Sequence, residues 1–287
     1  MMQRLGFEHD GLTLSYLDTG GDRPLIVALH AMWMEARTFE EFAAAMPEWR
    51  VVSMDQRGHG LSGHSSDYSR AAFIGDITAL LDHLGAREPV VLIGNSLGGT
   101  NAFIFAARHP ERVRALVIEE GPPESHESLT FVLEWRGVYA TREALEQKIG
   151  ERLAWSVKPS FRETAHGWTL AFDPDELVSM KEVLNGNFWD EWLATTCPAL
   201  VVRGTTSKAV DGKVLEAMAE RRPNTELLSL EAGHVTHHDD LAAFVSRVKA
   251  FLRKLPQIVI EGTPANPALQ RTDAPVDSPG TGVRRHA

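Results

Sequence analysis

The sequence has a single cysteine, Cys197, in 287 residues, which excludes a disulfide within the chain. Cys197 precedes a proline at the start of an apolar run, so we interpret it as a buried structural thiol and not as a nucleophile. The chain also lacks an apolar run of the roughly 20 residues that a transmembrane helix needs, and residues 1–10 lack the apolar stretch of a secretory signal. We therefore expect a cytoplasmic protein.

Positive charge is scarce relative to negative charge. The sequence has 29 Lys and Arg against 39 Asp and Glu, which gives a formal net charge of -10 at pH 7. An acidic chain is poorly suited to bind nucleic acid or an anionic membrane. We expect a small-molecule substrate as the partner, bound by a monomer or a homodimer. No His-Glu-x-x-His or cysteine-rich spacing is present, so neither a metal nor another cofactor is expected.

What the sequence does have is a serine in a glycine-rich turn. An apolar run over residues 90–93 leads into Gly94-Asn95-Ser96-Leu97-Gly98, and a helical pattern follows. Glycine has no Cβ, so a strand and a helix can approach closely around Ser96 and hold its hydroxyl clear of its surroundings. The N–H of Leu97 would then point to the place where a tetrahedral oxyanion forms. The same five-residue pattern also occurs in ordinary turns. The predicted strand before it and the helical pattern after it favour the interpretation of Ser96 as a nucleophile.

Buried-strand patterns alternate with amphipathic helical patterns along most of the chain. The predicted strands cover residues 12–18, 24–29, 51–54, 89–93, 113–118, 198–203 and 225–230. The predicted helices cover residues 38–46, 71–84, 101–108, 213–220 and 241–255. This alternation predicts an α/β fold, with a mostly parallel twisted sheet flanked by helices.

Polar side chains and a glycine-containing loop directly follow several of the predicted strands. They are His30, Asp55, Ser96, Glu120, His234 and the loop that begins at Gly204. Ligands of open parallel sheets bind at the carboxyl ends of the strands, so we expect these groups to converge on one edge of the sheet.

The middle of the chain differs from the rest in composition. Residues 123–195 carry helical patterns and no buried strand, and five of the seven tryptophans lie there. We predict a helical cap inserted between two parts of an α/β core, residues 1–122 and 196–255. Its aromatic side chains would cover a substrate, fill a core of their own, or do both. Residues 256–287 are rich in proline and lack periodicity, so we predict a disordered tail there.

Four motifs, in this order along the chain, resemble those of the α/β-hydrolase fold superfamily. They begin at His30 (His-Ala-Met-Trp), Asp55 (Asp-Gln-Arg-Gly-His-Gly-Leu-Ser), Gly94 (Gly-Asn-Ser-Leu-Gly-Gly) and Gly233 (Gly-His-Val-Thr-His). The chain is most similar to single-domain esterases with an inserted helical cap, from about residue 12 to residue 255. The resemblance implies Ser96 as the nucleophile and His234 as the base.

The same resemblance assigns the groups around the nucleophile. It implies an oxyanion hole made by the N–H groups of Leu97 and Met32, although Ala31 stands where the family usually has glycine. His30 is expected to hold this loop by hydrogen bonds. We expect an apolar or aromatic substrate in a pocket lined by Trp33, Trp135, Trp168 and Trp189. No pair of arginines marks a site for a phosphate or a dicarboxylate.

The carboxylate that orients His234 departs from the usual pattern of the superfamily. Its usual place is the loop after the strand at 198–203, and that loop has no acidic residue before Asp211. A minority of the superfamily carries the acid one strand earlier, where this chain has Glu119 and Glu120. We assign Glu120 on this basis. Glu119 and then Asp211 are the alternatives, because a shift of one residue turns a side chain to the opposite face of a strand.

These residues together imply a serine hydrolase. It would cleave a carboxylic ester, thioester or lactone of a small apolar or aromatic substrate through an acyl-serine intermediate. One alternative is a carbon–carbon bond hydrolase or lyase that uses the same Ser-His site. Another is a hydrolase homologue of slow turnover that senses a ligand.

Overall fold

A computed structural model of the protein describes residues 2–255, so the predicted tail at 256–287 lies outside the described residues. The strands are β1 (Gln3–His9), β2 (Leu12–Asp18), β3 (Leu25–Leu29), β4 (Arg50–Met54), β5 (Val90–Asn95), β6 (Val113–Glu119), β7 (Glu124–Ser125), β8 (Phe161–Thr164), β9 (Gly167–Leu170), β10 (Gly186–Asn187), β11 (Ala199–Gly204) and β12 (Thr225–Leu230). Eight of them form one sheet in the order β1-β2-β4-β3-β5-β6-β11-β12. The hairpin β1–β2 and the pair β2–β4 are antiparallel, and the other neighbours in this sheet are parallel.

Helices flank this sheet. They are α1 (Glu40–Ala44), α2 (Arg70–His83), α3 (Leu97–Arg108), α4 (Arg142–Ile149), α5 (Glu151–Val157), α6 (Pro174–Leu184), α7 (Trp189–Ala194), α8 (Gly212–Arg221), α9 (Thr236–Asp239) and α10 (Leu241–Arg253), with 3-10 helices at Ala36–Phe39, Pro110–Arg112, Thr130–Trp135 and Lys158–Ser160. A buried apolar cluster packs α2, α3 and α8 against the sheet. Phe42 of α1 meets Phe244 of α10 with ring centroids 5.8 Å apart. The predicted α/β fold is confirmed.

The central strands β5 and β6 are almost continuously apolar. Every residue of β5 is buried, and β6 is buried apart from the half-buried Arg114. Strands covered by helices on both faces need this pattern, because neither face meets water. β5 ends immediately before Ser96, and β6 ends immediately before Glu120, so the centre of the sheet brings both residues to the same edge.

Residues 124–194, between β6 and β11, hold α4 to α7 and two small antiparallel sheets, β8–β9 and β7–β10. We call these residues the inserted segment. The sequence patterns predicted helices alone, so the hairpin β8–β9 is a difference. Phe161, Trp168 and Thr169 favour an extended chain, and Gly167 has a φ of 128° at the turn, where a side chain would be strained.

Aromatic side chains of the inserted segment pack partly against one another. Their apolar cluster includes Trp135, Phe161 and Phe172, and it reaches Met32 and Leu97 of the core. The inserted segment therefore has an apolar core that is continuous with the loop after β3.

The N-terminal strand β1 is a second difference from the sequence analysis, which predicted no strand there. Its apolar residues are Leu5 and Phe7 alone, so the alternating pattern is short, and pairing with β2 along its full length defines the strand. None of the helices between residues 2 and 255 is long and apolar enough to cross a bilayer.

Candidate active site

Ser96 lies in the turn between β5 and α3 with a φ of 52°, a backbone conformation that residues with a side chain seldom adopt. Two glycines allow this turn. A Cβ at Gly94 would lie 2.3 Å from the carbonyl carbon of Gly98, and a Cβ at Gly98 would lie 2.1 Å from the carbonyl oxygen of Leu29. Since both contacts are with backbone atoms, a larger residue would displace the turn. Close packing thus holds Ser96 in its strained conformation.

Ser96 lines a cavity of about 640 Å³ that lies between the core and the inserted segment. Four other predicted site residues line the same cavity: Met32, Trp33, Leu97 and His234. The structure therefore brings together the residues that the first, third and fourth sequence motifs contribute.

His234 faces Glu120, and the distance between His234 Nδ1 and Glu120 Oε2 is 3.3 Å. The second carboxylate oxygen, Oε1, accepts the backbone N–H of Gly204 at 2.8 Å. Glu120 is fully buried and has a φ of 50° at the end of β6. The carboxylate of Glu120 is therefore oriented by the Gly204 N–H on one oxygen and faces the imidazole of His234 with the other.

Glu119, the neighbouring acid, binds a different histidine. Its Oε2 lies 2.6 Å from Nδ1 of His237, and its Oε1 accepts the Thr236 hydroxyl at 2.7 Å and the His237 N–H at 2.8 Å. Burial raises the pKa of Glu119, but His237 and these hydrogen bonds more than offset this, so the pKa lies below its usual value. Asp211 caps α8 by accepting the N–H of Lys213. Of the three candidate acids, Glu120 is the one in contact with His234.

Asn95 ties the serine turn to the loop that carries His234, and sequence reasoning missed it. Its Nδ2 donates to the carbonyl of His234 at 2.9 Å and to the carbonyl of Glu119 at 3.2 Å. The Ser96 N–H donates to the same Glu119 carbonyl at 2.8 Å. Asn95 stands within the serine motif, but the motif does not indicate this role, because the partners of Asn95 come from β6 and from the chain after β12.

The two N–H groups expected in an oxyanion hole belong to Leu97 and Met32. Leu97 is the first residue of α3, so its N–H has no partner within the helix. Met32 lies in a turn closed by a hydrogen bond from the Met34 N–H to the Ala31 carbonyl. In the part of the chain that the structure describes, neither the Leu97 nor the Met32 N–H is bonded to another group.

His30 holds this loop as a neutral imidazole. Its Nε2 accepts the Gln56 N–H at 3.0 Å, so the proton is on Nδ1, which donates to the Ala31 carbonyl at 2.7 Å. Complete burial lowers the pKa of His30 to about 4. The Gln56 amide also donates to the His30 carbonyl at 2.7 Å, which fixes the end of β3 to the loop after β4.

Two hydrogen bonds and one ion pair join the inserted segment to the loop after β3. The Trp33 indole donates to Ser156 Oγ at 3.2 Å, and the Ser160 hydroxyl donates to the Trp33 carbonyl at 2.7 Å. Arg162 forms an ion pair with Glu35 at 2.6 Å. The inserted segment therefore helps to fix the loop that presents the Met32 N–H.

Of the four tryptophans predicted to line the pocket, Trp33 lines the cavity and the other three do not. Trp135 is buried beside Trp33 with ring centroids 6.0 Å apart, Trp168 belongs to β9, and Trp189 lies against the guanidinium of Arg221. The composition of a segment does not reveal which face each side chain takes in short helices and hairpins. The aromatic residues of the inserted segment that line the cavity are Phe131, Trp155 and Phe188.

Basic side chains also line the cavity, and no sequence motif contains them. They are Arg70, Arg152, Lys181 and Lys208. These residues belong to α2, α5, α6 and the loop after β11, so no spacing in the sequence connects them.

Cys197 is half-buried, and burial raises the pKa of its thiol. A protonated thiol is a poor nucleophile, so this residue has no evident role in chemistry. Between residues 2 and 255, no three His, Cys, Asp or Glu side chains are grouped so that they could hold a metal ion.

Comparison with known proteins gives matches over parts of the chain and over nearly all of it. Residues 24–143 match the family model described as alpha/beta hydrolase fold. The sn-1-specific diacylglycerol lipase of Mus musculus is 39% identical over 117 residues, which are 39% of this chain and only 38% of that lipase. A Haemophilus influenzae protein named as an esterase/lipase is 23% identical over 247 residues, 80% of this chain and 84% of that protein.

A solved structure extends the likeness to most of the fold. The crystal structure of E-2-(acetamidomethylene)succinate hydrolase matches with a TM-score of 0.77 at 22% identity and covers 88% of this chain and 100% of that chain. At this identity the likeness concerns the fold alone. Together with the mostly parallel eight-stranded sheet and the match of residues 24–143 to the family model, it shows that the chain has the α/β-hydrolase fold.

Proposed function

We propose that this protein is a carboxylic ester hydrolase in which Ser96 is the nucleophile, His234 the general base and Glu120 the carboxylate that orients His234. The observation that carries the proposal is the 3.3 Å contact between His234 Nδ1 and Glu120 Oε2, beside a strained Ser96 on the same cavity. A nucleophile, a base and a fixed carboxylate are the parts that acyl transfer to serine requires.

In the first step, the Ser96 hydroxyl attacks the ester carbonyl while Nε2 of His234 accepts its proton. The imidazolium that forms is stabilised by Glu120, whose other oxygen is held by the Gly204 N–H. The carbonyl oxygen becomes negatively charged, and the N–H groups of Leu97 and Met32 stabilise it, by about 3 kcal/mol for a donor of this kind.

In the second step, the tetrahedral intermediate collapses as His234 returns its proton to the leaving alcohol, and the acyl group stays on Ser96. Water then attacks the acyl-serine with His234 again as the base, which releases the carboxylic acid and restores the serine. Thioesters and lactones would react through the same oxyanion. The relatives named as a lipase and as an esterase/lipase support an ester as the bond cleaved.

The test is hydrolysis of p-nitrophenyl butyrate, with the mass of the acid-quenched enzyme as a second readout. We expect release of p-nitrophenol, an added acyl mass on the peptide that contains Ser96, and loss of activity by at least about 10³-fold in Ser96→Ala. Ser179→Ala is the matched control, because Ser179 is an exposed serine of α6 outside the cavity.

Two outcomes would count against the proposal. Wild-type activity in Ser96→Ala would remove the serine from the mechanism. No ester hydrolysis, together with cleavage of a 1,3-diketone that depends on Ser96, would assign the same residues to carbon–carbon bond hydrolysis.

A further inference from the structure

Arg70 is a half-buried arginine at the start of α2 that lines the same cavity as Ser96. Its Nη1 donates to Oδ1 of Asn101 at 2.5 Å, and its Nη2 donates to the carbonyl of Leu184 at 2.8 Å. Both acceptors are uncharged. Among residues 2–255, no carboxylate lies within ion-pair distance of this guanidinium, and its buried Nε has no hydrogen-bond partner.

The guanidinium of Arg70 therefore has no carboxylate paired with it, and the attraction of the more distant Glu191 only partly offsets the effect of burial. Burial, with a smaller contribution from Arg108, lowers the pKa of Arg70 to about 10, so the side chain remains a cation at neutral pH. An unpaired charge that is partly removed from water is unfavourable, and an apolar side chain would fill the same space without that cost. A perturbed cation of this kind on the wall of a cavity indicates a functional group.

The lining of the cavity as a whole carries more positive than negative side chains. Lys181 of α6 also lines the cavity, where its Nζ donates to Ser125 Oγ at 2.6 Å and pairs with Glu127 at 3.0 Å. In all, four Lys or Arg and two Asp or Glu line the cavity of a chain whose net charge is -10. The ring of Phe188 lies 4.9 Å from Arg70 Cζ and limits the movement of the guanidinium. The cavity thus combines an apolar wall with a fixed cation.

We propose that Arg70 binds a carboxylate of the substrate, so that the esters cleaved at Ser96 carry an anionic group a few bonds from the scissile carbonyl. This inference rests on the proposed function and names a class of substrate for it. The planar guanidinium matches a carboxylate, which would supply the missing negative charge. Asn101 lies four residues after Leu97 on α3, about 6 Å along the helix axis, so the cation lies within one or two turns of the nucleophile.

A structural role for Arg70 is the competing explanation. Through Asn101, whose Nδ2 donates to Gln56 Oε1 at 2.7 Å, Arg70 is connected to the residues that hold His30 and the oxyanion loop. If that were its whole role, loss of the guanidinium would slow every ester equally. The two explanations therefore differ in the ratio of activities on charged and uncharged esters.

The experiment compares monoethyl glutarate with ethyl pentanoate, which has the same acyl chain length without the second carboxylate. We expect kcat/KM to be about tenfold to a hundredfold higher for monoethyl glutarate, mainly through KM, as for a charged hydrogen bond. Arg70→Gln should bring the ratio close to one, and Arg70→Lys should retain part of it. Arg142→Gln removes an exposed arginine outside the cavity and should leave the ratio as in the wild type.

Acetoxyacetic acid, with ethyl acetate as its uncharged counterpart, tests a carboxylate on the alcohol part of the ester. A preference for either anionic ester that depends on Arg70 supports the inference. Equal activity on both members of each pair in the wild type overturns it, as does an unchanged ratio in Arg70→Gln.

A binding measurement separates this inference from the proposed function. Glutarate should raise the Tm of the wild type and not that of Arg70→Gln, and a shift of equal size in both would overturn the inference. Failure to cleave p-nitrophenyl butyrate would remove the ester hydrolase, whereas cleavage of that ester without any preference for an anionic ester would remove only the role of Arg70.

Discussion

Glu119 and Glu120 are neighbours in the chain, yet each holds a different histidine. Successive side chains at the end of a strand point in opposite directions, so Glu119 reaches His237 and Glu120 reaches His234. The positive φ of Glu120 contributes to this separation. Glu120 thus orients the imidazole of His234, and Glu119 fixes the chain two to three residues after His234.

Replacing Glu120 by Gln should lower kcat on p-nitrophenyl butyrate by about 10²–10⁴-fold, because the amide cannot stabilise the imidazolium and favours the wrong tautomer of His234. Asp211→Asn is the matched control. It should keep most of the activity, since Asp211 caps α8 and asparagine caps a helix about as well. A larger loss in Asp211→Asn than in Glu120→Gln would return the acid to the loop after β11.

Replacing Glu119 by Gln should act on stability first. It replaces a buried carboxylate that accepts the Thr236 hydroxyl and the His237 N–H and contacts His237 Nδ1, and weakening hydrogen bonds to a buried charged group costs roughly 2 kcal/mol. We expect a lower midpoint in urea unfolding, whereas Glu120→Gln should change this midpoint less. Equal destabilisation by the two substitutions would contradict separate roles for the two acids.

For single residues, the sequence predicts roles that depend on a continuous motif, and it does not predict roles that depend on contacts between distant parts of the chain. Ser96, Leu97 and His234 follow predicted strands within recognisable patterns. Arg70 lies outside every motif, and Asn95 lies within one that does not indicate its role, because the partners of both are brought near only by tertiary structure. The contact of Glu119 with His237 joins residues far apart in the chain, and no local rule predicts it.

The serine turn depends on the absence of a side chain at Gly98. Gly98→Ala should prevent the close approach of α3 to β3, because the added Cβ would lie 2.1 Å from the Leu29 carbonyl oxygen. We expect a loss of more than about 3 kcal/mol of stability or no folded protein, measured by urea unfolding. Gly75→Ala in α2 is the control. Its Cβ would meet only the His9 side chain at 3.4 Å, so alanine should be neutral or stabilising by up to about 1 kcal/mol.

The elements of the core could be predicted because their burial follows the period of the sequence. The predicted strand at 225–230 has the same bounds as β12, and the predicted strand at 113–118 ends one residue before β6 does. The inserted segment is less predictable, since its elements are short and take their conformation from packing against one another. This explains why the hairpin β8–β9 and the positions of Trp135 and Trp189 were not predicted.

The stability of the whole molecule should depend on pH through two buried neutral histidines. Burial lowers the pKa of His30 to about 4, and burial together with the nearby His30 lowers that of His59 to about 3. Below pH 6.5 the unfolded chain binds protons at these positions and the folded chain does not. The free energy of unfolding should therefore fall as the pH is lowered from 7 to about 4, by about 3 kcal/mol for each histidine.

His59→Gln tests this dependence, because it removes one of the two proton-binding groups from the unfolded chain. Urea unfolding at pH 7 and at pH 4 should show a smaller decrease in this variant than in the wild type. His166→Gln, at an exposed position, is the control. Burial raises the pKa of Glu35 and of Asp76, and this makes the free energy of unfolding rise as the pH is lowered. Because the wild type and both variants contain these two acids, the comparison between them is unaffected. The same decrease in His59→Gln as in the wild type would contradict the prediction.

The two hydrogen bonds and the ion pair between the inserted segment and the loop at Trp33 and Glu35 have a consequence for the size of the substrate. A ligand too bulky for the cavity has to push the inserted segment outward, and the same movement would pull on the loop that carries the Met32 N–H. Such a ligand would occupy the site without being cleaved. Under the proposed mechanism, oversized esters would therefore act as inhibitors instead of slow substrates. The rate of hydrolysis would drop sharply above a certain ester size instead of declining gradually with size.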